Sequence, residues 1–523
     1  MSTHTFEMRQ LTDTIQDHLD DERFWLALAL AISSVIVWIY YTTHPYPAYG
    51  GGLYLEIVET LRANSFRPPQ TIAHYTADGI PFAYPPLLFY GYAIAGDLGV
   101  DLFELMRIFP GVVTTVALIP YYYLARELLG DSRTAGVATV AYATIPAASQ
   151  WHITGGGFIR APALLLLLTG LYCSVRLFDT GGRRWLGGSS MLFGLTVLTH
   201  PQYATLFGVS ALLYYLWNHR TRVGLVHGAI VAGGGLLIAS PWWLRVVSVY
   251  GITPLTSAAS THGGLLNPPW VVIDQLLGPL FGWPTMAIVH LVLLCSCVYA
   301  LIKRQSFVLV WLLVVAQYSG APRYCFIPGA LLIGALLAEF VPQAYNRWTA
   351  PESVSTGAFA WGIGLLICLG AAGGAMYGGI AVAPTGYAPY ISSDDVTAMG
   401  WVREETAPGD EFVVVGDVAD WFPHYAERTS LVSPWGAEWV PGQYSHHNEM
   451  TAALVACKRA NCLSDVLANY SLSPEYLYVP NGRVTAGGFD YQQPPTMRQS
   501  LAASDRYRIV YTNPDVTIVG VNS

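Results

Sequence analysis

The chain contains few charged residues for its length. Of its 523 residues, 11% are charged and 53% are hydrophobic, and the mean hydropathy is +0.40. Soluble globular chains are about 25% charged, so this chain has too little charge to cover a surface that faces water. The composition excludes an ordinary soluble enzyme, a nucleic-acid-binding protein and a disordered scaffold, and it predicts that most of the chain lies in a membrane.

Lysine is almost absent, because Lys303 and Lys458 are the only lysines among 26 Lys and Arg. Residues 387–523 contain 16 Asp and Glu but 8 Lys and Arg, so this segment carries the whole net charge of −8. An acidic exposed domain with so little lysine is typical of a halophile, in which high salt screens self-repulsion. A GC-rich genome would favour arginine in the same way.

The N-terminus has no recognisable cleavable signal peptide. Residues 1–23 are polar and acidic, and no small-residue cleavage site follows the first apolar run at 24–41. We therefore expect a retained first transmembrane helix. Apolar runs predict eleven transmembrane helices, near residues 24–41, 106–128, 135–150, 158–178, 186–199, 201–218, 224–246, 284–302, 305–319, 324–342 and 357–381.

The basic residues of the connecting segments predict the orientation. With the N-terminus inside, the inner segments hold twelve Lys and Arg and the outer segments hold six, which agrees with the positive-inside rule. We predict a polytopic α-helical protein of the cell membrane. Its parts are a cytoplasmic segment at 1–23, a membrane domain at 24–384 with outer loops at 42–105 and 247–283, and an extracellular α/β domain at 385–523.

The first outer loop carries the most specific pattern. Leu53, Ile57 and Leu61 recur at helical spacing behind three glycines, which predicts a short amphipathic helix. The string G-I-P-F-A-Y-P-P-L at residues 79–87 then opens a second apolar helix. This second helix is too short to span a membrane, and we expect it to be re-entrant or interfacial.

This loop, together with Arg107 and Pro110 at the start of the next span, resembles the GT-C superfamily over most of residues 24–345. Its members are polytopic glycosyltransferases that use lipid-phosphate sugar donors, and they include protein mannosyltransferases, aminoarabinose transferases of lipid A and many archaeal membrane proteins. The resemblance implies a GT-C fold. It also implies transfer of a sugar from a polyprenyl (dolichyl) phosphate carrier to a glycan, lipid or protein acceptor at the outer membrane face.

The chain departs from the GT-C pattern just after its first span. GT-C proteins usually carry an acid there, often Asp-Glu, whereas this chain has three glycines at 50–52 ahead of Tyr54. Because transfer needs a base for the acceptor's hydroxyl proton, we expect another acid of the loop to serve. Asp78, in the turn before the 79–87 string, is the first candidate and Glu56 the second. An Asx turn and a solvated helix face are the respective alternatives.

Several outer turns bring a basic side chain to a similar depth, although most positive charge should lie inside. We expect Arg160 and Arg323, together with His200 and Arg245, to bind the donor phosphate, because a guanidinium can donate two parallel hydrogen bonds to it. Snorkelling to the interface is the alternative for each residue. The spacing of His and Cys predicts no resident metal, and a divalent cation that accompanies the phosphate is left open.

Residues 385–523 alternate helix and strand patterns, which favours a small three-layer α/β domain. Its Asp417, Asp420 and aromatic run at 433–439 could bind a sugar, or the run could pack against the membrane body. The predicted sugar-binding residues of the whole chain are Tyr54, Tyr84, His152, Trp435 and Glu438. A disulfide is plausible on an oxidising outer face if the helix predicted across 448–470 ends between its two cysteines, Cys457 and Cys462.

Three functions are compatible with these patterns. The leading one is a glycosyltransferase that uses a polyprenyl-phosphate sugar. The second is a transporter or flippase of lipid-linked saccharides, which the sequence supports less because no internal repeat and no intramembrane acid pair are recognisable. The third is a non-catalytic envelope protein on the same scaffold, which the glycines at 50–52 keep open.

Overall fold

The computed structural model describes six stretches of the chain, namely residues 22–261, 267–281, 284–304, 306–318, 321–348 and 388–522. The predicted span at 357–381 lies outside the described residues. The same is true of almost all of the predicted N-terminal segment at 1–23 and of part of the predicted outer loop at 247–283.

The described chain up to residue 348 is a bundle of helices with one short two-stranded ladder, β1 (Thr71–Ile72) and β2 (Ile80–Pro81). In chain order the helices are α1 (Glu22–Thr43), α2 (Gly52–Ala63), α3 (Leu87–Asp97), α4 (Leu102–Leu129), α5 (Ser132–Thr144), α6 (Pro146–Ile153), α7 (Gly157–Thr180), α8 (Arg183–Val197), α9 (Pro201–Asn218), α10 (Arg222–Ile238), α11 (Ser240–Tyr250), α12 (Thr253–Thr261), α13 (Trp270–Leu277), α14 (Pro284–Lys303), α15 (Ser306–Tyr318) and α16 (Pro322–Trp348).

A helix or a pair of consecutive helices coincides with each predicted span from the first to the one at 324–342. Four of the described helices, α1, α4, α7 and α16, contain a stretch long and apolar enough to cross a membrane. The number becomes five if α10 and α11, which meet at a bend of 59°, form one span. The figure of eleven spans therefore stays a prediction, whereas the largely helical, apolar architecture is observed.

The two short helices of the first outer loop form as predicted. Helix α2 buries Leu53, Ile57 and Leu61 on one face, and α3 begins directly after Pro86. Proline suits this position because the first turn of a helix needs no donor from its backbone nitrogen. Both helices contribute to the hydrophobic cluster that also contains residues of the C-terminal part of the chain.

The C-terminal unit is defined here as residues 388–522. Its strands are β3 (Glu411–Val414), β4 (Thr429–Ser430), β5 (Tyr476–Pro480), β6 (Gly482–Ala486), β7 (Phe489–Gln493), β8 (Tyr507–Thr512) and β9 (Val516–Val521). Five of them form a mixed sheet with the strand order β4-β3-β5-β9-β8. A separate hairpin pairs β6 with β7. The helices of the unit are α17 (Ser393–Glu405), α18 (Phe422–Ala426), α19 (Gln443–Ala456), α20 (Ala460–Asn469) and α21 (Pro495–Ala502).

Alternating residues of the central strands bury both faces of this sheet. On β3, Phe412 and Val414 pack in the same hydrophobic cluster as α17, α18 and the first outer loop. Val413, between them, packs with α19, α20 and α21 on the opposite face. The C-terminal unit thus shares one continuous core with the outer loop, and this shared core fixes the surface that faces the membrane bundle.

The helix predicted across 448–470 is in fact two helices, because α19 ends at Ala456 and α20 begins at Ala460. The break allows Cys457 and Cys462 to form a disulfide, with their Cα atoms 5.4 Å apart. A continuous helix would hold residues five apart too far from each other for this bond.

Replacing both cysteines, Cys457→Ser with Cys462→Ser, is expected to lower the free energy of unfolding of the C-terminal unit by about 2 kcal/mol, because the bond closes a short loop in the unfolded chain. Thermal unfolding of the full chain in detergent measures this effect. A reductant should lower the stability of the wild type to that of the double variant and leave the variant unchanged. A variant as stable as the oxidised wild type would contradict the prediction.

Candidate functional site

A cavity of about 360 Å³ lies between the C-terminal unit and the end of the helical bundle that faces it. Its floor and walls come from the segment before α2 and from the starts of α7 and α16, and its roof comes from the turn after β3 and from α19. We call it the polar cavity, and its lining includes Tyr49, Gly50, Gly51, Tyr54, Tyr84, Trp151, Arg160, Arg323, Tyr390, Asp417, Asp420, Trp435, Glu438, Tyr444 and Asn448.

Asp420 reaches from the C-terminal unit to the start of α2. Its Oδ2 accepts hydrogen bonds from the backbone nitrogens of Gly51, at 2.8 Å, and Gly52, at 2.9 Å. Among the described residues, its Oδ1 has a single, longer contact of 3.4 Å, with the nitrogen of Leu53. Burial raises the pKa of Asp420 to about 6, although these backbone donors favour its ionised form.

Asp417 lies three residues before Asp420 on the same 3₁₀ turn, which places both carboxyl groups on one side. Its two oxygens accept from the backbone nitrogens of Gly487, at 2.9 Å, and Gly488, at 2.8 Å. Burial, together with the charge of Asp420, raises the pKa of Asp417 to about 7. The two acids interact and so titrate as a pair, and burial shifts the pKa of both toward the protonated form.

Two guanidinium groups face the same cavity beside the ring of Trp151. The Cζ atoms of Arg160 and Arg323 lie 5.3 Å and 5.5 Å from the centre of that ring. Neither arginine forms an ion pair with a carboxylate in the described part of the chain, and the Nε atom of each is buried without a hydrogen-bond partner there. A guanidinium that forms no ion pair with a carboxylate is free to bind an anionic ligand.

Glu438 marks the boundary with a second cavity. It accepts a hydrogen bond from the hydroxyl of Tyr84, and burial raises its pKa although the charge of Arg160 opposes the shift. The hydroxyl of Tyr54 in turn accepts from Nη1 of Arg160 at 3.3 Å. These four side chains line both cavities and so form a polar connection between them.

The second cavity, which we call the side cavity, has a volume of about 400 Å³ and extends between the bundle helices. Beyond the four shared residues, its walls come from α7, α9, α11, α12 and α15. The lining there includes Ile159, Thr199, His200, Pro201, Gln202, Thr205, Trp242, Leu255, Ala258, Ala259, Tyr318 and Trp439. Its apolar and aromatic walls suit an extended lipid chain, with the polar connection at one end.

The structure does not bring the first-choice acid into either cavity. Asp78 is exposed in a turn that is closed by a bond from the Gly79 nitrogen to the Thr76 oxygen, at 3.2 Å. Glu56 is turned away from the polar cavity and lies 3.4 Å from Nδ1 of His424. The pairing of β2 with β1 holds Asp78 in this turn. Neither expected acid lines a cavity with Arg160 and Arg323, so the role of catalytic base expected for them lacks support from their positions.

Two residues that were expected to bind the donor, His152 and Arg245, contact protein groups outside the cavities instead. His152 is fully buried outside both cavities, where its ring nitrogens contact the Ala148 oxygen at 2.8 Å and the Tyr203 hydroxyl at 2.5 Å. Arg245 donates to the backbone oxygens of Pro68, at 3.0 Å, and Pro69, at 2.9 Å. Both residues therefore stabilise the scaffold near the site. The expected roles of His152 in sugar binding and of Arg245 in phosphate binding lack support from their positions.

The remaining predicted residues lie at the cavities. Arg160, Tyr54, Tyr84 and Glu438 line both, Arg323 and Trp435 line the polar cavity, and His200 lines the side cavity. Sequence reasoning missed Trp151 and Tyr390, which have no motif of their own. Over the described residues, no group of three or more His, Cys, Asp and Glu is arranged to hold a metal ion.

Comparison with known proteins gives one family and several relatives. The family model described as dolichyl-phosphate-mannose-protein mannosyltransferase matches residues 83–244. An undecaprenyl phosphate-alpha-4-amino-4-deoxy-L-arabinose arabinosyl transferase of Pseudomonas aeruginosa is 29% identical over 178 residues, which are 30% of this chain and 28% of that protein. A dolichyl-phosphooligosaccharide-protein glycotransferase 1 of Archaeoglobus fulgidus is 27% identical over 180 residues, 34% of this chain and 29% of its own. The matches thus span less than a third of the length of either relative.

The fold agrees with these matches over almost the whole chain. The crystal structure of ArnT from Cupriavidus metallidurans bound to undecaprenyl phosphate superposes with a TM-score of 0.56 and 12% identity, and the match covers 95% of this chain and 97% of that one. At this level of identity the superposition shows the fold alone. Together the matches confirm the resemblance to the GT-C superfamily of polytopic membrane glycosyltransferases.

Proposed function

We propose that this protein transfers a sugar from a polyprenyl-phosphate donor to an acceptor at the outer face of the cell membrane. The proposal is based on the GT-C fold of the chain and on its relatives, which are lipid-linked glycosyltransferases. The observation that carries the proposal is the pair Arg160 and Arg323. Both line the polar cavity, Arg323 only 8% exposed and Arg160 partly buried, and neither has a carboxylate partner among the described residues. A phosphate group supplies the missing negative charge.

The two cavities would bind different parts of the donor, each in surroundings of matching polarity. The side cavity, with its apolar walls, would hold the first isoprene units of the carrier, and Arg160 at its inner end would meet the phosphate. The sugar would then lie in the polar cavity, where Trp435 and Tyr390 offer ring faces and Glu438 offers an acceptor for hydroxyl groups. This placement keeps the chain of the lipid in an apolar environment throughout.

The reaction needs charge stabilisation at the leaving group more than anything else. When the bond between the anomeric carbon and the phosphate oxygen breaks, negative charge accumulates on the departing polyprenyl phosphate. Two guanidinium groups held beside the Trp151 ring stabilise that charge without having to reorient. A roof formed by the C-terminal unit would limit the access of water, which would otherwise hydrolyse the donor.

The same proposal includes the orientation of the protein. The C-terminal unit and the polar cavity would face the outside, and the N-terminus would face the cytoplasm, in agreement with the distribution of arginine in the loops. The acidic C-terminal unit would then lie in the external medium.

Purified full-length protein tests the proposal directly. It would be given polyprenyl-phosphate-linked sugars, including the mannose and 4-amino-4-deoxy-L-arabinose that the matched names contain, together with lipid, glycan and peptide acceptors. We expect release of polyprenyl phosphate in equal amount to the labelled acceptor. In proteoliposomes, labelled donor that crosses the bilayer with its sugar–phosphate bond intact would instead identify a transporter and contradict the proposal.

A further inference from the structure

The C-terminal unit packs so closely on the start of α2 that it leaves no room for side chains on the glycines there. A Cβ atom on Gly50 would lie 2.9 Å from Oδ2 of Asp420, and one on Gly52 would lie 2.3 Å from the Asp420 backbone oxygen. Contacts this short are not tolerated with backbone atoms. The segment therefore cannot carry side chains of its own here, because a carboxylate from the other end of the chain occupies the space.

Asp420 is one of three carboxylates in the polar cavity, and its surroundings differ from those of the other two. Asp417 has one backbone donor on each oxygen, and Glu438 accepts from Tyr84. Asp420 instead receives its two short hydrogen bonds on Oδ2 alone, which leaves lone pairs on Oδ1 for a further partner. A carboxylate that is held rigidly by one oxygen and available at the other is well placed to accept a proton.

An interaction between a carboxylate and a helix start could serve only to dock the C-terminal unit. A second, independent observation points to a ligand at the same place. Arg323 lines the same cavity, is only 8% exposed, and has an Nε atom without a hydrogen-bond partner among the described residues. The cavity thus combines an unsatisfied buried donor with an available buried acceptor.

We infer that Asp420, supplied by the C-terminal unit and seated on the glycines at 50–52, is the catalytic base of the glycosyl transfer. The inference rests on the proposed function and names the residue that the first outer loop does not provide. It also means that the C-terminal unit completes the active site, so that the membrane bundle has no catalytic base without it.

The step balances with the groups present. Oδ1 of Asp420 takes the proton of the acceptor's hydroxyl group as the acceptor oxygen forms a bond to the anomeric carbon. The bond from that carbon to the phosphate oxygen breaks, and its electron pair leaves with polyprenyl phosphate, which remains between Arg160 and Arg323. After the products leave, the proton passes from Asp420 to solvent or to the neighbouring Asp417.

The pH dependence of the reaction gives a test that needs no variant. Charged and titratable groups face Asp420 from every element that packs on it, namely Asp417 and His424 on its own segment, Tyr54, Tyr75 and Glu56 in the first outer loop, and Tyr390. Since burial raises the pKa of Asp420 to about 6, kcat/KM of the wild type should fall about tenfold per pH unit below that value. A rate that stays constant down to pH about 4.5 would overturn the inference.

The decisive variant is Asp420→Asn in the full chain, assayed with whichever donor the wild type uses. Its amide oxygen can still accept from Gly51 and Gly52, so the docking contact is kept while the base is lost. We expect an unchanged melting temperature and a decrease in kcat of about 10²- to 10⁴-fold. Residual activity should no longer fall at low pH. The matched control is Asp465→Asn, an exposed acid outside both cavities, with activity expected at the wild-type level.

The outcomes separate the inference from the function on which it rests. A folded Asp420→Asn protein with activity within twofold of the wild type would reduce Asp420 to a docking residue, and an inactive Asp78→Asn beside it would return the role to Asp78. If Asp420→Asn does not fold, the pH profile of the wild type decides. A wild type that transfers none of the sugars offered would contradict the proposed function and remove this inference with it.

Discussion

Arg160→Gln and Arg323→Gln are each expected to lower kcat of sugar transfer by about 10²- to 10³-fold, the usual effect of removing one fixed donor from a site where charge develops. Both guanidinium groups lie beside Trp151 at the polar cavity, without a carboxylate partner in the described chain. Because neither arginine forms an ion pair among the described residues, its replacement by glutamine should cost little stability. A loss of activity would therefore come with an unchanged or slightly raised melting temperature.

The matched control for these variants is Arg67→Gln, another arginine of the predicted outer segments, which is exposed and lies outside both cavities. It should retain the activity of the wild type. The binding of polyprenyl phosphate alone, measured by competition against the donor, should weaken in the two cavity variants and not in the control. Equal activity in all three variants would rule out a phosphate site between Arg160 and Arg323.

Gly52→Ala is the second substitution with a large expected effect. The added methyl group would lie 2.3 Å from the Asp420 oxygen and 2.5 Å from the Trp421 Cα atom, both of which belong to the backbone and cannot move aside singly. We expect a loss of about 1–3 kcal/mol in unfolding free energy from overpacking. Sugar transfer should nearly disappear, because Asp420 is displaced from the start of α2. Thermal unfolding and the transfer assay measure the two effects.

The control for Gly52→Ala is Gly91→Ala, in the neighbouring helix α3, where a Cβ atom would meet no atom within 4 Å. Alanine favours a helix over glycine by about 1 kcal/mol, so this variant should be at least as stable as the wild type and equally active. Full activity in Gly52→Ala would mean that the C-terminal unit can shift without consequence for the site, in conflict with the proposed catalytic contact.

Local pattern was sufficient for much of the fold. The stripe of Leu53, Ile57 and Leu61 predicted α2, and the paired prolines before α3 predicted its start. The hairpin of β8 and β9 is local in the same way, with Asn513 Oδ1 accepting from the Val516 nitrogen at 2.8 Å. In each case the determining interactions lie within a few residues of one another.

The site depended on contacts that no local pattern contains. Arg160 and Arg323 could be chosen because most positive charge is expected inside, so an arginine in a predicted outer turn is unusual in itself. Asp78 was the first candidate for the base because it lies in the turn directly before the 79–87 string, whereas Asp420 reaches Gly52 across a separation of 368 residues. The absence of an acid at residues 50–52 and the presence of Asp420 beside them are connected. Only the packing of the C-terminal unit on the first outer loop brings these residues together.

A structure of the protein bound to polyprenyl phosphate tests the central claim most directly. We predict that the phosphate lies between Arg160 and Arg323 with guanidinium–oxygen distances of about 2.8 Å, that the isoprene chain runs into the side cavity, and that the open space of the polar cavity faces Oδ1 of Asp420. A phosphate bound elsewhere on the protein, with both arginines unchanged and the polar cavity closed to it, would contradict the assignment of this site.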